Sequence, residues 1–306
     1  MSQTTFIPLP QAREHATVQR RRSDRQGIQF SGVIAMAFLF ISTIYFLVPF
    51  FWLVISSTKS APDLFGTFGL WFAPNFNLFT NLQVLFTYDN GIYGQWLINS
   101  FLYAGVSSVL GMFFSSLAGY ALSKYVFRGR NFIFSCILGA ILVPATALTL
   151  PLYLLMSKWG LTNTYWAVLL PSIVSPFGVY LSRIYASSSV PDELIEAARI
   201  DGAGEFRIFT SVAMRLMTPA LVTILLFQFV AVWNNYFLPL VMLSDQKFFP
   251  IPVGLQVWNN TTGGATKFLY SEIVTGALIS SLPLIVGCIL LQRFWRQGLG
   301  VGSVKG

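Results

Sequence analysis

Four residues that can bind polar solutes stand together late in an otherwise apolar stretch: Trp233, Asn234, Asn235 and Tyr236. An indole can stack on the C–H face of a sugar ring, and uncharged amides can bond its hydroxyl groups. Neighbours on a helix lie about 100° apart, so not all four side chains can face one way. Two interpretations stay open: the four residues line a path for a neutral solute, or the rings pack and the amides bond across helices.

A second group of residues suited to recognition lies between two long apolar stretches and runs from Pro191 to Gly202. Pro191 suits the first turn of a helix, because its missing N–H needs no partner there. The acidic Asp192 and Glu193 then meet the positive end of the helix dipole. Gly202 is expected to end the helix in a left-handed conformation. The pattern predicts a helix of roughly 11 residues, which needs packing to persist.

The side chains of this short helix indicate a surface that docks onto another protein. An apolar stripe is expected from Leu194, Ile195, Ala198 and Phe206. Ala197 and Ala198 leave the surface shallow enough to enter another protein's cleft. The alternative is an amphipathic connector that lies on a membrane.

The composition places the chain in a bilayer. Hydrophobic residues make up 55% and charged residues 10% of its 306 residues, whereas a soluble domain has about 25% charged residues. The net charge of +8 does not indicate a nucleic-acid partner, because the cations lie in loops between apolar runs. Cys136 and Cys288 fall within apolar runs, and the single histidine, His15, lies near the N-terminus. We therefore predict no catalytic residue and no metal site.

The apolar runs predict an all-α membrane protein with six transmembrane helices. A bilayer core about 30 Å thick needs about 20 apolar residues in helical form, since lipid cannot satisfy free backbone groups. Six stretches meet this requirement, and their only charged residue is Arg183, at the edge of the fourth. The predicted spans are 31–57, 95–122, 132–157, 162–183, 216–243 and 273–292.

The distribution of Lys and Arg predicts the orientation. Fifteen of the 19 lie in the N-terminal tail, in the loops after spans two and four, and after span six. By the positive-inside rule, both termini and the loop 184–215 are cytosolic. Residues 1–28 are polar and are predicted to be a disordered basic cytosolic tail. Residues 29–306 form the predicted transmembrane domain.

The cytosolic loop carries a recognisable string. Glu196, Ala197, Ala198 and Gly202 resemble the E-A-A-x-x-x-G motif of permease subunits of bacterial ABC importers, and Asp201 before Gly202 resembles the maltose-type carbohydrate importers. The resemblance extends over nearly the whole chain after residue 30. Further matching strings are Asn99-Ser100, Gly119-Tyr120-Ala121-Leu122, Pro151-Leu152-Tyr153, Leu161-Thr162-Asn163-Thr164, and Trp233 to Leu240.

The resemblance assigns roles to these residues. The short helix between spans four and five would be the coupling helix, which inserts into a groove on an ATP-binding subunit. Glu196 would meet a basic group there, and Ala197 and Ala198 would permit close approach. Asp201 and Gly202 would turn the chain into the next helix.

The resemblance also implies a function and a set of partners. The chain would be a multi-pass permease subunit in the bacterial inner membrane and would form half of the path for a sugar or oligosaccharide. Its partners would be the lipid bilayer, a second related permease, two ATP-binding subunits and an extracytoplasmic binding protein. It would be no enzyme and hold no cofactor. ATP and Mg²⁺ would sit on the partner subunits, since the chain lacks G-x-x-x-x-G-K-[ST].

The spans themselves favour a neutral cargo. Proton-coupled carriers commonly place ionisable residues inside the membrane, although each costs about 2.5–3.5 kcal/mol to insert. The predicted spans carry none in their interior. Two alternatives remain: an importer of another neutral or polar solute, and an ion-coupled secondary carrier.

Overall fold

The computed structural model describes the backbone of residues 12–262 and 269–301, and the side-chain surroundings of residues 32–261 and 269–292. Within these ranges every regular element is helical, which confirms the all-α class. Two compact units are present, one ending at Ile55 and one beginning at Ser56.

The first unit consists of helix α1, which spans Ala12–Ser57 and so ends just inside the second unit. We expected residues 1–28 to be disordered, but the helix already begins at Ala12; residues 1–11 lie outside the described residues. Residues 12–26 contain neither Gly nor Pro, and ten of the 15 are Arg, Ala, Gln or Glu. These are good helix formers, so polarity alone does not prevent a helix here.

The second unit is a series of helices joined by short connections. From Ser56 onward they begin with α2 (Ala61–Gly66), α3 (Leu78–Thr87), α4 (Ile92–Lys124), α5 (Arg130–Leu142), α6 (Ala145–Lys158), α7 (Tyr165–Ile173) and α8 (Pro176–Ser189). They continue with α9 (Asp192–Ile200), α10 (Glu205–Ile208), α11 (Met214–Leu216), α12 (Thr218–Trp233), α13 (Phe237–Met242), α14 (Ile251–Thr262) and α15 (Tyr270–Val301). Single 3₁₀ turns occur at Tyr88–Gly91 and Gln246–Phe248, and a π-helical turn at Phe209–Ala213.

The described helices fall into two groups by their ability to cross a membrane. Four stretches are long and apolar enough on their own: Gly32–Ser57 in α1, Leu78–Lys124 over α3 and α4, Tyr165–Ser189 over α7 and α8, and Tyr270–Gln292 in α15. Two further pairs qualify together but are sharply bent: Arg130–Leu142 with Ala145–Lys158, by 104°, and Glu205–Leu216 with Thr218–Trp233, by 85°. The count is therefore four, or up to six if each bent pair is one span, and the predicted six spans stay a prediction.

Three predicted spans contain breaks that hydropathy alone did not predict, and proline accounts for two of them. Span three, predicted as 132–157, bends where Pro144 lacks an N–H and forces Val143 into extended backbone. Span four is interrupted between α7 and α8, and Pro176 opens the second piece. Span five, predicted as 216–243, stops at Trp233 and resumes at Phe237.

Helix α4 lies at the centre of the second unit and packs against α7, α8 and α12. Small residues recur at every fourth position on its buried face: Ser107, Gly111, Ser115 and Gly119. This spacing lets neighbouring backbones approach closely, as in many membrane helix pairs. At Gly119 a Cβ atom would lie 2.6 Å from the backbone nitrogen of Arg183 on α8. The contact between α4 and α8 therefore depends on the missing side chain.

We expect Gly119→Ala to destabilise the protein by about 1–3 kcal/mol, the usual cost of overpacking. The methyl group would meet backbone, which cannot rotate away. Gly105→Ala on the same helix is the matched control, because its Cβ would meet no atom within 4 Å. Thermal unfolding of the purified assembly measures both. Equal melting temperatures for the two variants would contradict the close α4–α8 contact.

Candidate functional site

Helix α9 forms where the sequence predicted the short recognition helix, over Asp192–Ile200. Gly202 adopts φ +77°, as predicted. Its amide donates to the carbonyl of Arg199 at 3.0 Å, and the amide of Ala203 donates to the carbonyl of Ala198 at 3.0 Å. This pair of bonds is a Schellman motif, which satisfies carbonyls that the helix end leaves free. Glycine enters the required conformation without strain.

The expected apolar stripe divides between two faces of the helix. Ile195 is only 3% exposed, and Ala198 is partly buried beside it. Leu194 and Phe206 instead face outward, and Ile200 next to the turn is 87% exposed. The inward residues anchor α9, and the outward ones leave apolar area uncovered.

The residues of the resembling motif lie on the outward side, apart from the partly buried Ala198. Glu196, Ala197, Asp201 and Gly202 are all exposed. The Glu196 carboxylate makes no hydrogen bond or ion pair with the part of the chain that the structure describes. We call the exposed set Leu194, Glu196, Ala197, Ile200 and Asp201 the knob surface. It combines a free carboxylate, small residues and apolar side chains, which suits a protein groove with a basic group.

The start of α9 is fastened to the end of α4. The ammonium of Lys124, the last residue of α4, donates to the carbonyl of Val190 at 2.5 Å and to the Asp192 carboxylate at 2.7 Å. The Lys124 side chain is only 8% exposed, whereas that of Asp192 is 74% exposed. The ammonium therefore relies on these two acceptors to replace lost hydration.

The end of α9 is fastened to Tyr125, the residue that directly follows α4. The Tyr125 hydroxyl donates to the Glu205 carboxylate, which also accepts from the Arg199 guanidinium at 2.7 Å. Burial, together with the bond to Glu205, raises the pKa of the Tyr125 phenol. The bond to Glu205 likewise raises the pKa of Arg199. Both ends of α9 are thus tied to the carboxyl end of α4.

A core cluster lies beneath α9 and completes this attachment. Ile195 inserts into it from above, and Phe209 contacts the ring of Tyr120 from α4, with ring centroids 5.4 Å apart. The cluster draws on α4, α8, α9 and the segment that leads into α12. Its buried members are Tyr120, Ala186, Val190, Ile195, Ile208, Phe209, Ala213, Met217 and Leu221. A displacement of α9 would therefore be passed to three longer helices.

The second predicted group, at the end of span five, is spread over a break between helices. Trp233 is 3% exposed; its indole N–H donates to the carbonyl of Ser280 at 3.1 Å, and its ring stacks on Phe229 at 5.5 Å. Asn234 is exposed, and its amide donates to the carbonyl of Val230 at 2.9 Å. Trp233 thus packs inside the protein, and Asn234 bonds within its own helix.

The other two residues occupy different surroundings. Asn235 accepts a bond from the amide of Leu238 at 3.3 Å, which caps α13, and it lines a cavity. Tyr236 is partly buried against a core cluster that includes Tyr103, Trp96 and Met242. Of the four predicted residues, Asn235 alone reaches the cavity, because the helix break separates their directions.

This cavity has a volume of about 700 Å³ and lies where the broken helices meet. The α5–α6 bend, the α7–α8 break and α12 with α13 supply its walls. Every described residue that lines it is uncharged, and apolar side chains predominate. Its polar members are Thr146, Thr149, Ser172, Ser175, Gln228 and Asn235. A small set of polar groups in an apolar cleft is typical of solute sites.

Two features of these sites were not predicted from the sequence. Gln228 is a buried amide in an apolar span, and that isolation was the signal that marks it. The bonds of Lys124 and Tyr125 were not predicted, because their partners lie 68 and 80 positions away. The local amino-acid sequence does not indicate such a pairing.

These features define an all-α, multi-pass membrane protein in which one face of the short helix α9 is exposed. Residues 107–298 match the profile of the family described as binding-protein-dependent transport system inner membrane component. The chain belongs to this family, which confirms the resemblance to ABC-importer permeases. Family membership also agrees with a multi-pass location in the inner membrane, whereas the predicted orientation of the termini stays a prediction.

Three relatives extend over nearly the full chain. The arabinooligosaccharides transport system permease protein AraQ of Halalkalibacterium halodurans is 37% identical, covering 90% of this chain and 97% of the relative. The lactose transport system permease protein LacG of Rhizobium radiobacter is 32% identical, covering 94% and 99%. The trehalose/maltose transport system permease protein MalG of Thermococcus litoralis is 28% identical, covering 85% and 92%.

A solved structure shares the fold. A chain of a bacterial ABC transporter involved in the import of the acidic polysaccharide alginate superimposes with a TM-score of 0.74, covering 89% of this chain and 97% of that chain. The two sequences are 24% identical. The likeness supports the helical architecture described above.

Proposed function

We propose that this chain is one of two permease subunits of an ATP-driven importer for a neutral sugar or oligosaccharide. The observation that carries the proposal is α9, a short helix whose knob surface is exposed while its ends are tied to α4. Its relatives, named as permeases for arabinooligosaccharides, lactose and trehalose or maltose, support the cargo class.

The knob surface is the proposed coupling site. Glu196 meets a basic group in a groove of an ATP-binding subunit, and Ala197 and Ala198 let the two backbones approach. Asp201 and Gly202 close the turn that presents this face. Supporting this role, Glu196 is exposed and bonds no described residue of its own chain.

The proposed assembly has four further components. A second related permease supplies the other half of the path, two ATP-binding subunits hold ATP and Mg²⁺, and an extracytoplasmic binding protein delivers the sugar. Both termini and α9 face the cytosol. The chain itself holds no cofactor and catalyses no reaction. Closure of the ATP-binding subunits displaces α9, and the displacement reaches α4, α8 and α12 through the core beneath it.

The proposed solute path runs along the cavity of about 700 Å³. Asn235 contributes its amide directly to the wall. Trp233 and Tyr236 support the wall from behind through packing, and Asn234 holds the end of α12. The path role first expected of all four residues is thus divided between contact and support.

We expect Asn235→Ala to reduce sugar uptake several-fold, because it removes a polar group from the cavity wall. Asn234→Ala is the matched control, since the neighbouring amide is exposed outside the cavity and bonds only the carbonyl of Val230. Initial uptake rates into proteoliposomes that contain the complete importer compare the two. A larger loss for Asn234→Ala than for Asn235→Ala would place the path elsewhere.

Uptake by the reconstituted assembly tests the function itself. The probes are arabinotriose, lactose, maltose and trehalose, each supplied with the loaded binding protein. We expect uptake of at least one probe that requires ATP and the binding protein. Uptake by this chain alone, driven by an ion gradient, would identify a secondary carrier instead.

A further inference from the structure

Gln228 on α12 holds together the break in the fourth span. The carbonyl of Ser172 would bond the amide of residue 176 in a continuous helix, but Pro176 has none. The Gln228 side-chain amide donates to this carbonyl at 2.7 Å and to that of Ile173 at 3.2 Å. Because both partners are carbonyls, the nitrogen must face them, which fixes the direction of the amide oxygen.

The amide oxygen of Gln228 is left without a partner among the described residues. The side chain is only 6% exposed, so bulk water does not satisfy it. Helix α4 leaves room for it with a glycine: a Cβ on Gly111 would lie 2.1 Å from the Gln228 nitrogen and 2.5 Å from its oxygen. A buried acceptor that lacks a donor is costly and calls for an explanation.

The surroundings of Gln228 indicate which donor would satisfy it. Gln228 lines the cavity of about 700 Å³, together with Thr149 and Ser172. Phe177 and Phe227, which meet edge to face at 5.9 Å, present apolar area to the same space. Ring faces beside hydroxyl and amide groups match a ligand with both C–H and O–H surfaces. A charged ligand would lose its hydration here without a counter-ion from these walls.

We propose that the Gln228 amide oxygen accepts a hydrogen bond from a hydroxyl group of an uncharged saccharide, and that Gln228 selects neutral over acidic sugars. The proposal rests on the proposed function and goes beyond it, because it assigns the residue that binds the neutral cargo and selects it. The bonds to Ser172 and Ile173 hold the amide in place, and its oxygen, which is shielded in this conformation, is reached by the sugar when the cavity opens during transport.

The test uses the complete importer in proteoliposomes. The probes are the four neutral sugars named above, an alginate trisaccharide as the acidic ligand, and monodeoxy analogues of whichever neutral sugar is taken up. Gln228→Met removes both the donor and the acceptor at nearly the same length. Gln228→Glu keeps an acceptor, and in its protonated form it can still donate to Ser172. Melting temperature and ATP hydrolysis without the binding protein report on assembly.

We expect Gln228→Met to lower neutral-sugar uptake tenfold or more, and Gln228→Glu to stay within threefold of wild type. In wild type, at least one monodeoxy analogue should be taken up tenfold more slowly than its parent sugar. In Gln228→Met, the uptake rates of that analogue and its parent should differ by less than twofold. If Gln228 only bridged α12 and α7, Gln228→Met would lower the uptake of the parent sugar and of the analogue equally. The ratio of the two uptake rates would then equal that of wild type.

The other outcomes each decide a separate point. Unchanged uptake by Gln228→Met, or failure of both variants to assemble, would overturn the role of Gln228 in sugar binding. Wild-type uptake of the alginate trisaccharide at the rate of a neutral sugar would overturn the charge selectivity. No uptake of any neutral probe by wild type would count against the proposed function instead.

Discussion

Gly202→Val is expected to lower sugar uptake by the reconstituted importer tenfold or more while the chain still inserts into the membrane. Gly202 has φ +77°, and a β-branched residue is strongly disfavoured there. A Cβ atom added at Gly202 meets no atom within 4 Å, so the expected effect comes from the backbone conformation. Leaving the left-handed conformation breaks the two bonds that close the end of α9. The knob surface would then lose its shape.

Gly204→Val is the matched control for this prediction. Gly204 lies two residues further on, and a Cβ there also meets no atom within 4 Å. Its backbone, at φ −69° and ψ 153°, is one that valine adopts readily. Uptake by this variant should stay within about twofold of wild type. Similar losses of uptake in the two variants would show that uptake depends on side-chain bulk near the knob surface and not on the turn at Gly202.

Lys124→Glu is expected to reduce uptake tenfold or more and to abolish the stimulation of ATP hydrolysis by loaded binding protein. The substitution places a carboxylate beside Asp192 and leaves the carbonyl of Val190 without its donor. A surface ion pair alone contributes about 0–1 kcal/mol. The larger effect comes from Lys124, which is 8% exposed and holds α9 to α4.

Charge exchange separates this attachment from simple loss of a cation. Adding Asp192→Lys to Lys124→Glu restores opposite charges but not the bond to Val190, since glutamate cannot donate it. We therefore expect partial recovery of uptake in the double variant. Arg128→Glu makes the same change of charge at an exposed position nearby and should be tolerated. No recovery in the double variant, together with a loss in Arg128→Glu, would argue for a general charge effect.

The form of the knob could be predicted from sequence because it depends on local chemistry. Pro191, the acidic first turn and Gly202 fix where α9 begins and ends, and the structure gives the predicted left-handed glycine. The division between its two faces was harder to see. Leu194 and Ile195 are adjacent apolar residues, and only their packing shows that Ile195 enters the core while Leu194 faces outward.

Hydropathy located the membrane helices but not their breaks. A run of apolar residues does not reveal where a helix stops, because membrane helices tolerate proline when neighbours satisfy the freed carbonyls. Pro144 and Pro176 interrupt predicted spans, whereas Pro151 and Pro283 lie inside continuous helices. Whether a proline breaks a helix depends on partners far away in sequence.

Such distant partners also explain why the predicted solute residues were only partly informative. The break after Trp233 turns Asn235 toward the cavity and leaves Asn234 outside it. Gln228 reaches carbonyls 55 and 56 positions earlier in the chain, in space left by Gly111. A single sequence contains the residue types for this arrangement but not their proximity.

The central claim, that α9 is the coupling helix for an ATP-binding subunit, is tested most directly by photo-crosslinking within the assembled importer. A photoreactive residue at Ile200, which is 87% exposed at the end of α9, probes the knob surface; Phe79 on α3, 75% exposed, is the control position. We predict that Ile200 captures the ATP-binding subunit, with a yield that changes on ATP binding, and that Phe79 does not. Failure to capture that subunit from Ile200, or equal capture from Phe79, would contradict the account.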